Sequence, residues 1–164
     1  MKDLLSLDRI ALNVAVSSKQ QAFEEIGRMV YTRRGPKAEE IATRLWKRES
    51  RSSTAQGYGM ALPHAQVKGL SKPMAAFLRP KDPLAFDAPD GLAVTQVCAL
   101  LVPKPATAEH FDLLTQLTLM FSDRRFRQLL GQCNASLSVW QLFEQWPYGM
   151  AEPSVRAPLA LAPA

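Results

Sequence analysis

The chain has 164 residues, 47% of them apolar and 21% charged, with two cysteines and a formal net charge of +5. At that length folding buries about 68–70% of the unfolded surface, so a core can form without disulfides or a structural metal, and disordered and fibrous classes are excluded. Cys98 and Cys133 sit in no Cys-x-x-Cys or zinc-ligand spacing and read as reduced thiols.

Asp3, Asp8 and Arg9 interrupt the N-terminal stretch where a signal peptide would be apolar, and the run from Leu92 to Val102 is too short for a membrane helix. The expectation is a cytoplasmic protein with no direct membrane insertion. The excess of Lys and Arg invites a nucleic-acid reading. The cations are scattered, however, as Arg33, Arg34 and Lys37, then Arg44, Lys47, Arg48 and Arg51, then Arg124, Arg125 and Arg127, mostly near acids and without interleaved aromatics. No nucleic-acid partner is expected.

In chain order, Val14 and Val16 fit a short strand, and Ser17 or Ser18 can cap a helix running to about Arg33, ended by Gly35 and Pro36. Its stripe is Phe23, Ile26 and Met29 or Val30. A second helix is predicted from about Pro36 to Arg48, with Ile41, Leu45 and Trp46 as its apolar side. Residues 50–59, rich in Ser, Thr and Gly, read as a loop leading into a short strand over Met60, Ala61 and Leu62, halted by Pro63. Met74 to Arg79 and Val94 to Val102 read as strands, the second apolar almost throughout and therefore central. Thr107 caps a helix over Ala108 to Phe121, and further helices follow over Ser122 to Leu130, closed by Gly131, and Ser136 to Trp146. Residues 1–147 thus form one domain, and the Ala- and Pro-rich residues 148–164 read as a disordered tail. Helices interleaved with strands point to an α/β domain, a mixed β-sheet flanked by helices on both sides.

Only two histidines occur. His64, in GYGMALPHAQ, follows a strand and a proline whose fixed φ pins the backbone before the imidazole. His110 falls near the third position of the helix capped by Thr107, where free backbone N–H groups suit a neutral imidazole or an anion. Two histidines 46 residues apart are less than a minimal zinc set, and no serine occupies a nucleophile elbow, so neither metal nor Ser-His-Asp chemistry is expected.

The segment RESRSSTAQGYGMALPHAQ, the Phe-Asp pair in PLAFDAPDG, the apolar strand ending LLVP and the stretch AEHFDLLTQLTLMFSDRRFRQLL together resemble the fructose/mannitol-type enzyme IIA of the phosphotransferase system. Within that family they resemble the nitrogen-regulatory branch, and the likeness runs from about Leu4 to Trp146. The resemblance implies the enzyme IIA fold and a phosphocarrier that takes a phosphoryl group from an HPr-type protein. His64 would be the acceptor, His110 would hold the phosphoryl oxygens and Arg48 would be the charge partner, with no cofactor or metal. Leu62, Ala65 and Phe111 replace the usual Ile, Gly and Leu, and no reactive atom is lost. Tyr58, Met60 and Phe111 are candidate partner-rim residues, while Glu49 and Asp112 belong to an acidic ring or are simply solvated.

Three functions follow from these residues. The first is a phosphorylation-dependent regulator of targets such as potassium-transport or sensor-kinase proteins. The second is a sugar-specific enzyme IIA that passes phosphate to a IIB protein. The third is a basic binding module in which both histidines are vestigial.

Overall fold

A computed structural model describes residues 3–147, and the predicted tail at 148–164 lies outside the described residues. The elements in chain order are β1 (Leu5–Val14), α1 (Lys19–Val30), α2 (Ala38–Glu49), β2 (Ala55–Gly57), β3 (Met60–Ala61), β4 (His64–Val67), β5 (Met74–Pro80), β6 (Gln96–Pro103), α3 (Ala108–Ser122), α4 (Arg124–Gln132) and α5 (Ser136–Gln145). They build one mixed sheet in the order β1-β5-β6-β3-β2, with β4 also on β6. β5 runs antiparallel to β6, whose other edge is shared by β3 and β4, both parallel to it.

Alternation along β6 sends Val97, Ala99 and Leu101 to one face and Cys98, Leu100 and Val102 to the other. On the first face they meet Phe23, Ile26, Ile41 and Leu45 of α1 and α2. On the second they meet Leu117, Phe121, Phe126, Val139 and Phe143 of the last three helices, where Phe143 stands edge-on to Phe126 with ring centres 5.3 Å apart. Helices therefore cover both faces, as the interleaved pattern predicts. β6, buried on both, is the central strand.

Several boundaries differ from the sequence expectation. β1 begins at Leu5 rather than near Val14, because pairing with β5 satisfies its backbone despite Asp8 and Arg9. Arg9 is buried and donates to the carbonyls of Ala75 and Leu4. α1 is capped by Ser18 and stops at Val30, where Tyr31 turns extended, so Arg33 lies beyond it. α2 begins at Ala38, with Lys37 rather than Pro36 at its entrance, and Trp46 is half-exposed. Ser122 belongs to α3, while Asp123 caps α4 by accepting from the backbone N–H groups of Arg125 and Phe126. Gly131 lies inside α4 instead of ending it. The predicted loop at 50–59 contains β2, held by antiparallel pairing with β3.

α1 and α2 approach each other closely at Gly27, where a Cβ would stand 2.3 Å from the Ala38 carbonyl oxygen. Alanine normally favours a helix interior over glycine by about 1 kcal/mol. Here the obstacle is backbone, so Gly27→Ala is expected to lower stability by about 1–3 kcal/mol. Urea denaturation measures this, and an unchanged midpoint would show that the start of α2 yields.

Candidate functional site

His64 opens β4, opposite Leu100 of β6. The sequence pattern ends the strand at Pro63, but the Pro63 carbonyl accepts from the Leu100 N–H at 2.8 Å, so the chain stays in the sheet across the proline. That placement holds the imidazole on a rigid element. Its Nδ1 lies 3.0 Å from the Leu62 carbonyl oxygen, which can only accept, so Nδ1 carries the proton. Nε2 is left with its lone pair, which accepts from Arg48 Nε at 3.1 Å.

Burial holds His64 below its ordinary value of 6.5; the Arg48 charge adds to this, while the Leu62 carbonyl and Glu49 pull the other way. With the folded value below the unfolded one, the unfolded chain binds more protons between the two. His64 thus contributes stability that is complete above its unfolded value and is lost as pH falls through its folded value. Wild type should lose more stability than His64→Gln when urea midpoints are compared at about pH 7.5 and about pH 5. Equal losses would mean that His64 titrates alike in both states.

Arg48 lies in the last turn of α2, where a cation complements the helix dipole, and Nη1 donates to the Ser52 carbonyl at 3.0 Å. Its neighbour Glu49 is only 5% exposed, which removes it from any acidic ring or solvated face. The carboxylate accepts from Lys19 Nζ at 3.0 Å, from the Thr54 N–H at 2.9 Å and from the Thr54 hydroxyl. Lys19 also pairs with Asp87 and lies over the Phe86 ring. This network ties the end of α2 to the start of α1 and to the chain before β2, and so anchors the segment that carries Arg48.

His110 takes the third position of α3, and its Nδ1 accepts from the backbone N–H of Thr107 at 3.0 Å. In the neutral ring the proton then sits on Nε2, which makes His110 a donor. His64, Arg48 and His110 line one cavity of about 420 Å³. Phe111, 61% exposed, lines it too. Among the described residues no group of three or more His, Cys, Asp or Glu side chains is placed to hold a metal ion.

The other two candidate rim residues lie elsewhere. Met60 is buried at 2% exposure because it pairs with Gln96 of β6 and points into the core. Tyr58 is exposed, but its turn precedes β3 at the opposite end of β6 from His64, and its ring faces the Arg127 guanidinium at 4.2 Å. Asp112 is exposed and outside the cavity lining. Sequence reasoning passed over Arg44, Lys47, Arg51 and Lys104 as site residues, yet all four line the cavity. The spacing 44, 47, 48, 51 is one helical stripe, a signal that the amino-acid pattern itself carries.

Two imidazoles and a guanidinium line one cavity beside a mixed sheet, and the chain belongs to the family of phosphoenolpyruvate-dependent sugar phosphotransferase system EIIA 2, whose model matches residues 3–146. It is 34% identical over 144 residues to a nitrogen regulatory protein of Pseudomonas aeruginosa, covering 87% of this chain and 93% of that protein. Among solved structures it is similar to the nitrogen regulatory protein IIA-Ntr of Neisseria meningitidis, with a TM-score of 0.81 and 34% identity over 85% of this chain and 96% of that one. The IIA mannitol protein of Escherichia coli shares the fold, with a TM-score of 0.69 at 19% identity over 84% of this chain and 96% of that one. The predicted fold class and the nitrogen-regulatory resemblance therefore hold. No helix among the described residues is long and apolar enough to cross a membrane.

Proposed function

We propose that the protein is a phosphocarrier that accepts a phosphoryl group from an HPr-type protein on His64 Nε2 and regulates target proteins according to its phosphorylation state. The observation that carries this reading is the fixed tautomer: the Leu62 carbonyl holds the Nδ1 proton, so the Nε2 lone pair is the nucleophile. The similarity to nitrogen regulatory proteins supports the regulatory part.

In the transfer, the His64 Nε2–P bond forms as the donor's N–P bond breaks, and the electron pair of that bond stays with the donor imidazole. The step balances with a donor ring protonated on its other nitrogen: the donor leaves as neutral imidazole, and His64, which keeps Nδ1–H against the Leu62 carbonyl, becomes a phosphoimidazolium whose ring charge that carbonyl stabilises. Arg48 Nε occupies the Nε2 lone pair in the unphosphorylated protein, so the guanidinium must shift toward the incoming phosphoryl oxygens before attack. There its fork and the Nε2–H of His110 meet the charge of a loose, in-line transition state.

The test is incubation with the phosphorylated HPr-type carrier of the source organism and, separately, with phosphoramidate, a small donor that needs no protein surface. The expected result is an acid-labile gain of one phosphoryl group, located on Nε2 by phosphorus–proton correlation. No gain from either donor would overturn the reading.

A further inference from the structure

Lys19 stands where local physics disfavours it. It is the first residue of α1, and the free backbone N–H groups there make the helix end positive, which suits an acid rather than a cation. Its ammonium is held by two carboxylates from distant parts of the chain, Glu49 Oε1 and Asp87 Oδ2, each at 3.0 Å, and by the Phe86 ring, whose centre lies 5.0 Å away. Asp87 takes the left-handed region, with a φ of 52°, a conformation that persists only where the surroundings enforce it. The Ser53 hydroxyl fixes the same loop by donating to the Phe86 carbonyl. Three segments thus converge on one ammonium that helix α1 by itself does not call for.

Glu49, the buried partner of Lys19, directly follows Arg48, and among the described residues it is the one carboxylate whose charge acts on His64. The other charged groups around that ring are Arg48 itself, Arg44, Lys47 and Arg51 of α2 and Lys104 before α3, and His110 completes the wall. Resting on the phosphocarrier reading, we infer that Lys19 is a positioning residue for the transfer: its ammonium neutralises Glu49 and keeps that carboxylate on Thr54, which leaves the Arg48 guanidinium to His64 and the incoming phosphoryl group. A buried carboxylate that loses its cation is strongly disfavoured. Without Lys19, Glu49 either stays unbalanced near His64 or draws Arg48 off Nε2. Both favour the protonated imidazole, the first by leaving a bare negative charge and the second by removing a positive one. Protonation occupies the Nε2 lone pair, which is the nucleophile.

The experiment compares wild type with Lys19→Met, Lys19→Arg and Lys19→Met/Glu49→Gln. For each, NMR follows the titration of the His64 ring, and steady-state labelling is measured with phosphoramidate and with the phosphorylated HPr-type carrier of the source organism. Lys19→Met is expected to move the His64 titration upward and to lower kcat about tenfold with both donors, with KM changed by less than about twofold. Lys19→Arg should recover both, since it returns the charge. The double variant should recover both as well, because it leaves no buried carboxylate without a cation. An unmoved His64 titration with unchanged kcat in Lys19→Met would overturn the inference. So would a double variant as impaired as Lys19→Met, which would make Lys19 a packing residue only. A loss confined to KM for the carrier would place Lys19 in the partner interface and also overturn it. Should urea denaturation show that Lys19→Met does not fold, Lys19→Gln, which keeps a donor to Glu49 without the charge, takes its place in the same comparison. If neither donor labels wild type, the phosphocarrier reading fails, while the His64 titration still decides whether Lys19 governs the charge on that ring.

Discussion

His64→Ala is expected to take up no phosphoryl group from the HPr-type carrier or from phosphoramidate, while wild type gains one. The loss should be complete because no second group can take over. His110 directs Nδ1 at the Thr107 N–H and offers a protonated Nε2, so in its neutral form neither ring nitrogen presents a free lone pair to the cavity. Cys98 is fully buried and its thiol is pushed up to about 12 by burial, which leaves it unreactive. The fold should survive, since His64 is only half-buried and the β4 backbone pairing does not use its side chain. Mass spectrometry of the intact protein, before and after mild acid, reads the result. Labelling that persists in the variant would move the acceptor to His110 and reverse the roles of the two histidines.

Arg48→Ala should leave His64 in place but slow transfer by about 10²–10³-fold, the usual cost of removing one donor aimed at developing transition-state charge. Two effects oppose each other here. Losing the Arg48 hydrogen bond frees the Nε2 lone pair, which favours attack, and removes a positive charge that holds the His64 value down. Against this, the phosphoryl oxygens lose the forked donor that stands directly on His64. The second effect dominates because phosphoryl transfer depends almost wholly on positioning and charge stabilisation. Arg48→Lys should recover part of the rate, since it restores the charge without the planar fork. Single-turnover rates with excess phosphorylated carrier separate these variants, and an unchanged rate for Arg48→Ala would remove Arg48 from the transfer step.

Much of the architecture is legible in the chain. The apolar runs at 74–79 and 94–102 contain most of β5 and β6, although β6 starts two residues later, at Gln96, and the periodic segments after Thr107 and Ser136 are helices that put Leu117, Phe121, Val139 and Phe143 in the core. The scarcity of histidine singles out His64 and His110, and both line one cavity with Arg48.

Other features lie beyond local pattern. β1 carries Asp8 and Arg9, and β4 follows a proline, so neither reads as a strand alone; each exists because a neighbouring strand supplies its hydrogen bonds. Tyr58 and Met60 are two residues apart, yet one is exposed beside Arg127 and the other is in the core, because the turn between them reverses the chain into β3. Glu49 reads as a surface acid until Lys19 and Thr54 enclose it. The amino-acid sequence by itself determined which faces are apolar, which two imidazoles are candidates for the chemistry and which family the chain joins, since periodicity and residue type are local properties. Only the tertiary structure decided the His64 tautomer and the meeting of Lys104 with the cations of α2, because both depend on hydrogen bonds and packing between segments far apart along the chain.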